Sequence, residues 1–435
     1  MSSEWNFAPL ESCLEALIDY RGKTPEKTDS GIPLITAKII KNGRIEKATE
    51  FIAEQNYEAW MRRGIPKEGD VVLTVEAPLG EVAQLGPEKI ALAQRVVTLR
   101  GKKDVLDNTY LLYLLQTEEM LGQLRARATG TTVLGIKQSE LRKIPLSLPP
   151  IDQQKSAASA LKALDNCIAI LRETNATLEA MAQAIFKSWF VDFDPVRAKA
   201  EGRQPERMDA ATAALFPDSF EESELGPVPT GWRVFPFTET ISVIGGGTPK
   251  TSMPEYWNGS IPWFSVVDAP KISDVFVIDT EKHISMAGIN NSSTKLLPVG
   301  TTIISARGTV GRLALVGSEM AMNQSCYGLR GKAGDAYFTY FRTYRLVESF
   351  KQRAHGSVFD TITRDTLAGV SVVYPNEAVI CAFENHLTPF MEMIKKNLMQ
   401  TKTLTQLRDT LLPKLISGEI RLPEAESIVR SAVNA

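Results

Sequence analysis

The chain of 435 residues carries 49 Lys and Arg against 51 Asp and Glu, with 43% apolar residues. That length predicts two to four structural units of an ordinary soluble protein. The near-zero net charge argues against a strong stand-alone nucleic-acid binder, since neutralising phosphates needs an excess of Lys and Arg. No signal peptide occupies residues 1–10 and no apolar run is long enough to span a membrane, so the expectation is a cytoplasmic protein without a membrane partner. The four cysteines and three histidines have no CxxC or metal-ligand spacing, which argues against a disulfide framework or a zinc site.

Residues 1–148 read as a mixed α/β unit. Strands are expected at Ile32–Ile40, at Gly69–Val75 and at Ala91–Leu99, and a helix at Asn108–Ala128. A Gly/Thr loop, ATGTTVLGI, and a short strand lead into Pro149 and Pro150. Prolines stop what precedes them, and Asp152 places a carboxylate near the following helix N-terminus.

From there to residue 190 the apolar residues keep heptad spacing. Leu161, Ile168, Ala182 and Trp189 form one series, and Leu164, Leu171, Leu178 and Ile185 the other, the alternation of a coiled-coil seam. Asn175 is a polar seam position that costs stability but can fix register against a partner helix. The run from Asp152 to Trp189 would be about 57 Å long. So narrow an apolar stripe needs a second helix to cover it.

Residues 191–230 are rich in charge and proline and read as an extended connector with a short helix near Met208–Leu215. Acidic residues concentrate here, Glu221, Glu222 and Glu224 among them. The aromatics Phe190, Phe193, Phe216 and Phe220 predict a connector laid on a surface.

Residues 231–374 then repeat the plan of 1–148. GDVVLTVEAPLGEVA from Gly69 aligns with GTTIISARGTVGRLA from Gly300, and ALAQRVVTLRG from Ala91 with AMNQSCYGLRG from Ala321. ATGTTVLGIKQSEL aligns with AHGSVFDTITRDTL. At residues 375–420 a second long helix follows, in which Leu387, Ile394, Leu404 and Leu411 match Leu161, Ile168, Leu178 and Ile185 at one constant offset. A tail, 421–435, remains. The predicted class is α/β: a tandem repeat of one mixed α/β domain followed by one long helix. With so many residues between the helices, either a parallel or an antiparallel pair is sterically possible.

Catalytic motifs are missing from the sequence: it has no Walker A loop, HExxH, GxSxG or paired Cys/His motif. Gly245-Gly246-Gly247 lacks the strand–helix context of a dinucleotide site. Basic residues, by contrast, cluster around each Gly/Thr loop. In the first copy these are Arg125, Arg127, Lys137, Arg142 and Lys143, and in the second Arg342, Arg345, Lys351, Arg353 and Arg364. Thr131, Thr132 and Ser357 add hydroxyls, and all of these groups donate to phosphate oxygens. Arg307 and Arg312 flank the Gly308 turn where the first copy has Glu76 and Glu81. Scaffold residues repeat while polar ones differ, as expected if each copy reads a different base sequence. The bland alternative is that these charges merely solvate helix faces.

Several stretches together resemble the specificity subunit of type I restriction–modification enzymes. They are GGGTPKTSMPEYWNGSIPWFSVVDA at 245–269, LPPIDQQ at 148–154, AIFKSWFVDFDPVRAKAEG at 184–202, LFPDSFEESELGPVPTGW at 215–232 and LRDTLLPKLISGEI at 407–420. The resemblance covers essentially the whole chain. It implies two target recognition domains, at 1–148 and 231–374, each reading half of a split double-stranded DNA target. The conserved helices at 149–190 and 375–420 would pack antiparallel with pseudo-twofold symmetry and fix the spacer, with 191–230 as connector. It also implies docking of two methyltransferase subunits and two restriction subunits. S-adenosylmethionine, ATP and Mg would belong to those partners, and no cofactor or catalytic residue to this chain. The first domain has only a shortened version of the YWNG–IPW stretch. DNA contacts are expected from Arg125, Arg127, Thr131, Thr132, Lys137, Lys250, Arg307, Arg312, Arg353, Ser357 and Arg364. A non-catalytic coiled-coil scaffold carrying two protein-binding domains is the alternative.

Overall fold

The computed structural model describes residues 5–20, 24–130, 133–270, 274–353, 361–421, 423–425 and 427, the side chains of 351–353 excepted. Contacts divide the chain into two units, one of residues 1–168 with 403–435 and the other of residues 169–402.

In the first unit the central strand is Val71–Val75, buried at every position. β-branched residues that cannot alternate in and out suit a strand covered on both faces. It lies between Val96–Gly101 and Leu79–Gln84, and Leu14–Asp19 pairs on the far side of Val96–Gly101. A second small sheet runs Phe51–Ile52, Ile32–Ile35, Ala91–Leu92, with the last pair parallel. The strand expected at Ala91–Leu99 is therefore two strands in two sheets, separated by a turn that the Ala93 N–H bond to the Ile35 carbonyl (2.9 Å) holds in place. Ile32–Ile40 likewise ends as a strand at Ile35 and turns through a short 3-10 helix, Ala37–Ile39. The helix expected at Asn108–Ala128 breaks after Leu114 and restarts at Glu118, because the Thr117 hydroxyl caps the new N-terminus through the Met120 N–H.

The second unit repeats this order. Its sheet runs Ile241–Gly245, Cys326–Gly331, Thr302–Ser305, Leu313–Val316, with Phe276–Val277 added at the edge. The smaller sheet, His283–Ile284, Trp257–Phe264, Ala321–Met322, keeps its parallel pair. In each copy an N-terminal strand, Asn6–Pro9 or Arg233–Pro236, pairs antiparallel with the strand that precedes the long helix. The connector is more structured than its composition predicts. It holds helices Asp194–Ala200 and Ala210–Ala214 and a hairpin, Phe220–Ser223 with Gly226–Pro229.

The long helices are Ile151–Phe190 and Glu377–Ile416, 40 residues each. Pro389 and Pro413 sit within the second on its exposed side, and the helix runs on through both. In the second unit Asn175 bonds Asn397 (2.9 Å) while Trp189 packs on Phe383 (5.8 Å between centroids), so the two helices run antiparallel. Of the predicted seam, Leu161, Leu164, Ile168, Asn175, Ala182, Trp189, Leu387, Ile394, Leu404 and Leu411 are buried. Leu171, Leu178 and Ile185 are only half-buried, and Phe186 is buried beside Ile185 instead. A straight helix of 3.6 residues per turn drifts away from a strict heptad, so the contact line moves over by one position within a few turns.

The end of the first long helix gathers much of the aromatic packing among the described residues. Phe186 and Phe190 pack on Phe338 and Phe383, and Trp189 packs on Phe216. Aromatic pairs of this kind add about 0.5–1.5 kcal/mol each beyond their burial. The predicted apolar connector residue Phe216 is thus a core residue, while Phe193 and Phe220 pack at its margin.

Candidate nucleic-acid interface

Each copy brings three loops together at one end of its central sheet. In the second copy the hairpin turn after Thr302–Ser305 begins at Ala306, whose N–H donates to the Ser325 carbonyl (2.7 Å). Its carbonyl accepts from the Ile362 N–H (2.9 Å), and Arg307 bridges Thr361. The 323–325 turn and the segment that ends the Gly/Ser loop thereby flank the hairpin. In the first copy Val75 takes the same place: its N–H bonds the Arg95 carbonyl (3.0 Å), its carbonyl accepts from Ile136 (3.0 Å), and Glu76 bridges Gly135.

A fourth loop joins the second copy. Gly246 and Gly247 lie so close to the chain opposite that a Cβ on Gly246 would stand 1.9 Å from the Asn323 carbonyl oxygen. Only glycine permits that approach. The Trp263 indole donates to the Gly247 carbonyl (3.0 Å) and the Trp257 indole to the Lys250 carbonyl (3.2 Å), so the two tryptophans hold the loop from behind. Lys250 stays exposed at its tip, and the Thr248 hydroxyl bonds the Gln324 side chain.

The predicted contact residues divide as follows. Arg307, Arg312, Lys250 and Arg364 are exposed, and the first two share one hairpin. The Arg312 N–H is tied to the Ser305 hydroxyl (2.8 Å), as the Glu81 N–H is to the Thr74 hydroxyl (2.9 Å) in the first copy. Arg125 and Arg127 end the helix that runs into the first Gly/Thr loop and Lys137 follows that loop. Arg125 shares an exposed ion pair with Glu118 (3.5 Å). Thr131, Thr132 and Ser357 lie outside the described residues, as does the side chain of Arg353.

Two members of the basic clusters are engaged elsewhere. Arg342 is buried, donates to the Val373 carbonyl (2.5 Å) and lies 4.4 Å over the Phe338 ring, where burial lowers its pKa to about 10. It is a core cation and not a surface one. Arg142 pairs with Glu11 (2.8 Å).

Sequence reading passed over three exposed residues in the cluster. Arg95 in the first copy occupies the place of Ser325. Lys38 and Val267 occupy equivalent 3-10 turns, and Val267 is 72% exposed. The cations thus change places between the copies: Glu76, Glu81 and Arg95 in one stand where Arg307, Arg312 and Ser325 stand in the other. Glu81 is not free to face outward as Arg312 is, since its carboxylate accepts from the Asn42 N–H (2.8 Å). Alignment of the two copies pointed to these positions, but only the folded turns show which side chains face out.

Among the described residues no group of three or more His, Cys, Asp or Glu is placed to hold a metal ion. Among them, too, no helix is long and apolar enough to cross a membrane.

The family profile described as "Type I restriction modification DNA specificity domain" matches residues 3–180 and again 229–379. The chain belongs to that family. The two matches fall on the two copies, so the duplication read from the sequence is the family's own domain used twice. The chain is similar to the type I restriction enzyme HindI specificity subunit of Haemophilus influenzae, 25% identical over 377 residues, 77% of this chain and 82% of that protein. It is similar again to the MjaIX specificity subunit of Methanocaldococcus jannaschii, 25% identical across 92% of this chain and 90% of that one. Among solved structures, the type I restriction–modification S subunit from M. genitalium matches 94% of this chain and 96% of its own at a TM-score of 0.58 and 16% identity, a likeness of fold. This specificity subunit is a member of the class that supplies DNA recognition to such systems.

Proposed function

We propose that each copy reads one half of a bipartite double-stranded DNA target. The observation that carries this reading is the three-loop cluster itself. Its backbone plan is the same in both copies, while its exposed side chains differ in charge and size. A pair of domains that bound the same partner twice would have no need of that divergence. Arg307 and Arg312 suit guanine edges or phosphates, Gln324 suits adenine, and Val267 suits a thymine methyl. The long helices, at about 60 Å for 40 residues, set the spacer between the half-sites. They also dock two methyltransferase subunits, and the full complex adds two restriction subunits. S-adenosylmethionine, ATP and Mg are held by those partners, and this chain contributes recognition without catalysis, in the cytoplasm.

The test is a map of methylated adenines in DNA from cells that express this chain with its methyltransferase subunit. A split motif with one fixed spacer, absent when the chain is omitted, is the expected result. A stable complex that adds no methylation would favour a scaffold with two protein-binding domains.

A further inference from the structure

The two copies attach to the helix pair differently. In the first unit the Asp165 carboxylate, on the first long helix, accepts from the Tyr113 hydroxyl (2.7 Å) and from the Arg408 guanidinium on the second long helix (2.8 Å). The Asp165 carbonyl accepts from Arg44 (3.2 Å). One residue therefore joins both long helices and two separate elements of the recognition domain. Tyr113 is fully buried, and Asp165 and Arg408 keep only 20% and 19% of their side-chain surface. Burial alone would lower the Arg408 pKa, but its bonds to Asp165 and Asp409 outweigh that and raise it, while burial and then Asp165 raise the Tyr113 pKa.

The second unit has the equivalent joint with this trio replaced by apolar residues. Its own polar contacts lie elsewhere, where the Glu384 carboxylate accepts from the Phe338 (2.7 Å) and Tyr337 (3.3 Å) N–H groups and Lys402 pairs with Asp279. Counted from the first residues of their helices, Asn108 and Ala336, Tyr110 and Tyr113 correspond to Phe338 and Phe341. The packing agrees: Tyr110 reaches Ile416 at the end of one long helix, and Phe338 packs on Phe190 at the end of the other. At the offset that matches Leu161 to Leu387, Asp165 corresponds to Met391 and Arg408 to Ala182. Phe341, Met391 and Ala182 are all buried in one apolar cluster. The scaffold therefore forms without the charged trio. Apolar contacts are non-directional, whereas charge-assisted hydrogen bonds at 2.7–2.8 Å hold only over a narrow range of angles.

We propose that Tyr113, Asp165 and Arg408 are positioning residues that lock the angle of the first recognition domain on the helix pair, and so fix the spacer to a single length. This rests on the bipartite reading above. One base pair more or less asks a domain to move about 3.4 Å and to turn about 35° along B-DNA. The trio resists that movement.

The experiment maps methylated adenines made by the full chain with its methyltransferase subunit, for wild type and for Tyr113→Phe, Asp165→Asn and Arg408→Met. Lys41→Gln, which removes an exposed ion pair to Glu46, is the control. The expected result is unchanged half-sites, with methylation at spacers one base pair longer or shorter rising on the order of tenfold in the trio variants and not in the control. Tyr113→Phe keeps the ring and its burial, so it reports even where a charge change prevents folding. Variant maps identical to wild type would overturn the positioning role alone. A wild-type map without any split motif would remove the bipartite reading and this inference with it.

Discussion

Arg307 and Arg312 present their guanidinium groups from one rigid turn, which makes the outcome of replacing them specific. If either reads a base edge, its change to Ala relaxes one position of one half-site and costs about 1–3 kcal/mol of binding, leaving the other half-site alone. If it holds a phosphate, binding weakens for every sequence and the salt slope falls by about one. Binding titrations on variant duplexes separate the two. Asn175 and Asn397 form the buried polar contact between the long helices, at 1% and 5% exposure. Asn397→Leu leaves the buried Asn175 Oδ1 without its donor, while Asn175 Nδ2 still bonds the Ile394 carbonyl (3.3 Å). It should cost about 1–3 kcal/mol by denaturant unfolding, whereas the double change to Leu should recover most of that. Glu384 gives a pH test. Its carboxylate accepts from the Phe338 (2.7 Å) and Tyr337 (3.3 Å) N–H groups at the start of helix Ala336–Arg353. Burial nonetheless raises its pKa from 4.5 to about 7. The folded state then binds the proton more tightly than the unfolded one, so stability falls as pH rises from about 4.5 to about 7. Glu384→Gln should flatten that dependence in melting scans, with its largest gain over wild type above pH 7. Of these residues, Asn175 and the two arginines stood out in the sequence by position or by contrast between copies. Asn397 and Glu384 did not, because each acquires its meaning from a contact more than forty positions away.

At the scale of elements, periodicity located both long helices and set their starts within a residue or two, since prolines and heptads are local signals. It placed the seam less well. A strict heptad assigns Ile185 to the interior, but the helix turns slightly less per residue than that repeat requires and buries Phe186, one position later. The short strands were also less legible: Ala91–Leu99 reads as one run of apolar residues, and nothing local says that it changes sheets at Ala93. The helices carry a prediction of their own. Seven residues inserted within Ser156–Lys187, with seven more at the facing level of Glu377–Ile416, would lengthen the pair by about 10 Å and the recognised spacer by roughly three base pairs. Methylation mapping should show unchanged half-sites. Changed half-site sequences would mean that the helices do more than measure.

Over the whole molecule, the net charge of −2 conceals cations gathered in the loop clusters and acids gathered in the connector. The chain alone should therefore grip DNA weakly. The slope of log affinity against log salt should be shallower for the isolated chain than for its complex with methyltransferase subunits, measured on the same duplex. Equal slopes would place the whole electrostatic contact on this chain. The division of the fold also bears on how the protein is made. Residues 1–168 complete their unit only with 403–435, and the Tyr110 hydroxyl waits for a carbonyl 306 positions later. At about 5–20 residues per second on a ribosome, that interval lasts roughly 15–60 s. For that time the first domain and the buried face around Leu161 and Leu164 have no finished partner. The domain synthesised first is therefore the one that finishes folding last, and a ribosome that stops at residue 400 leaves it open.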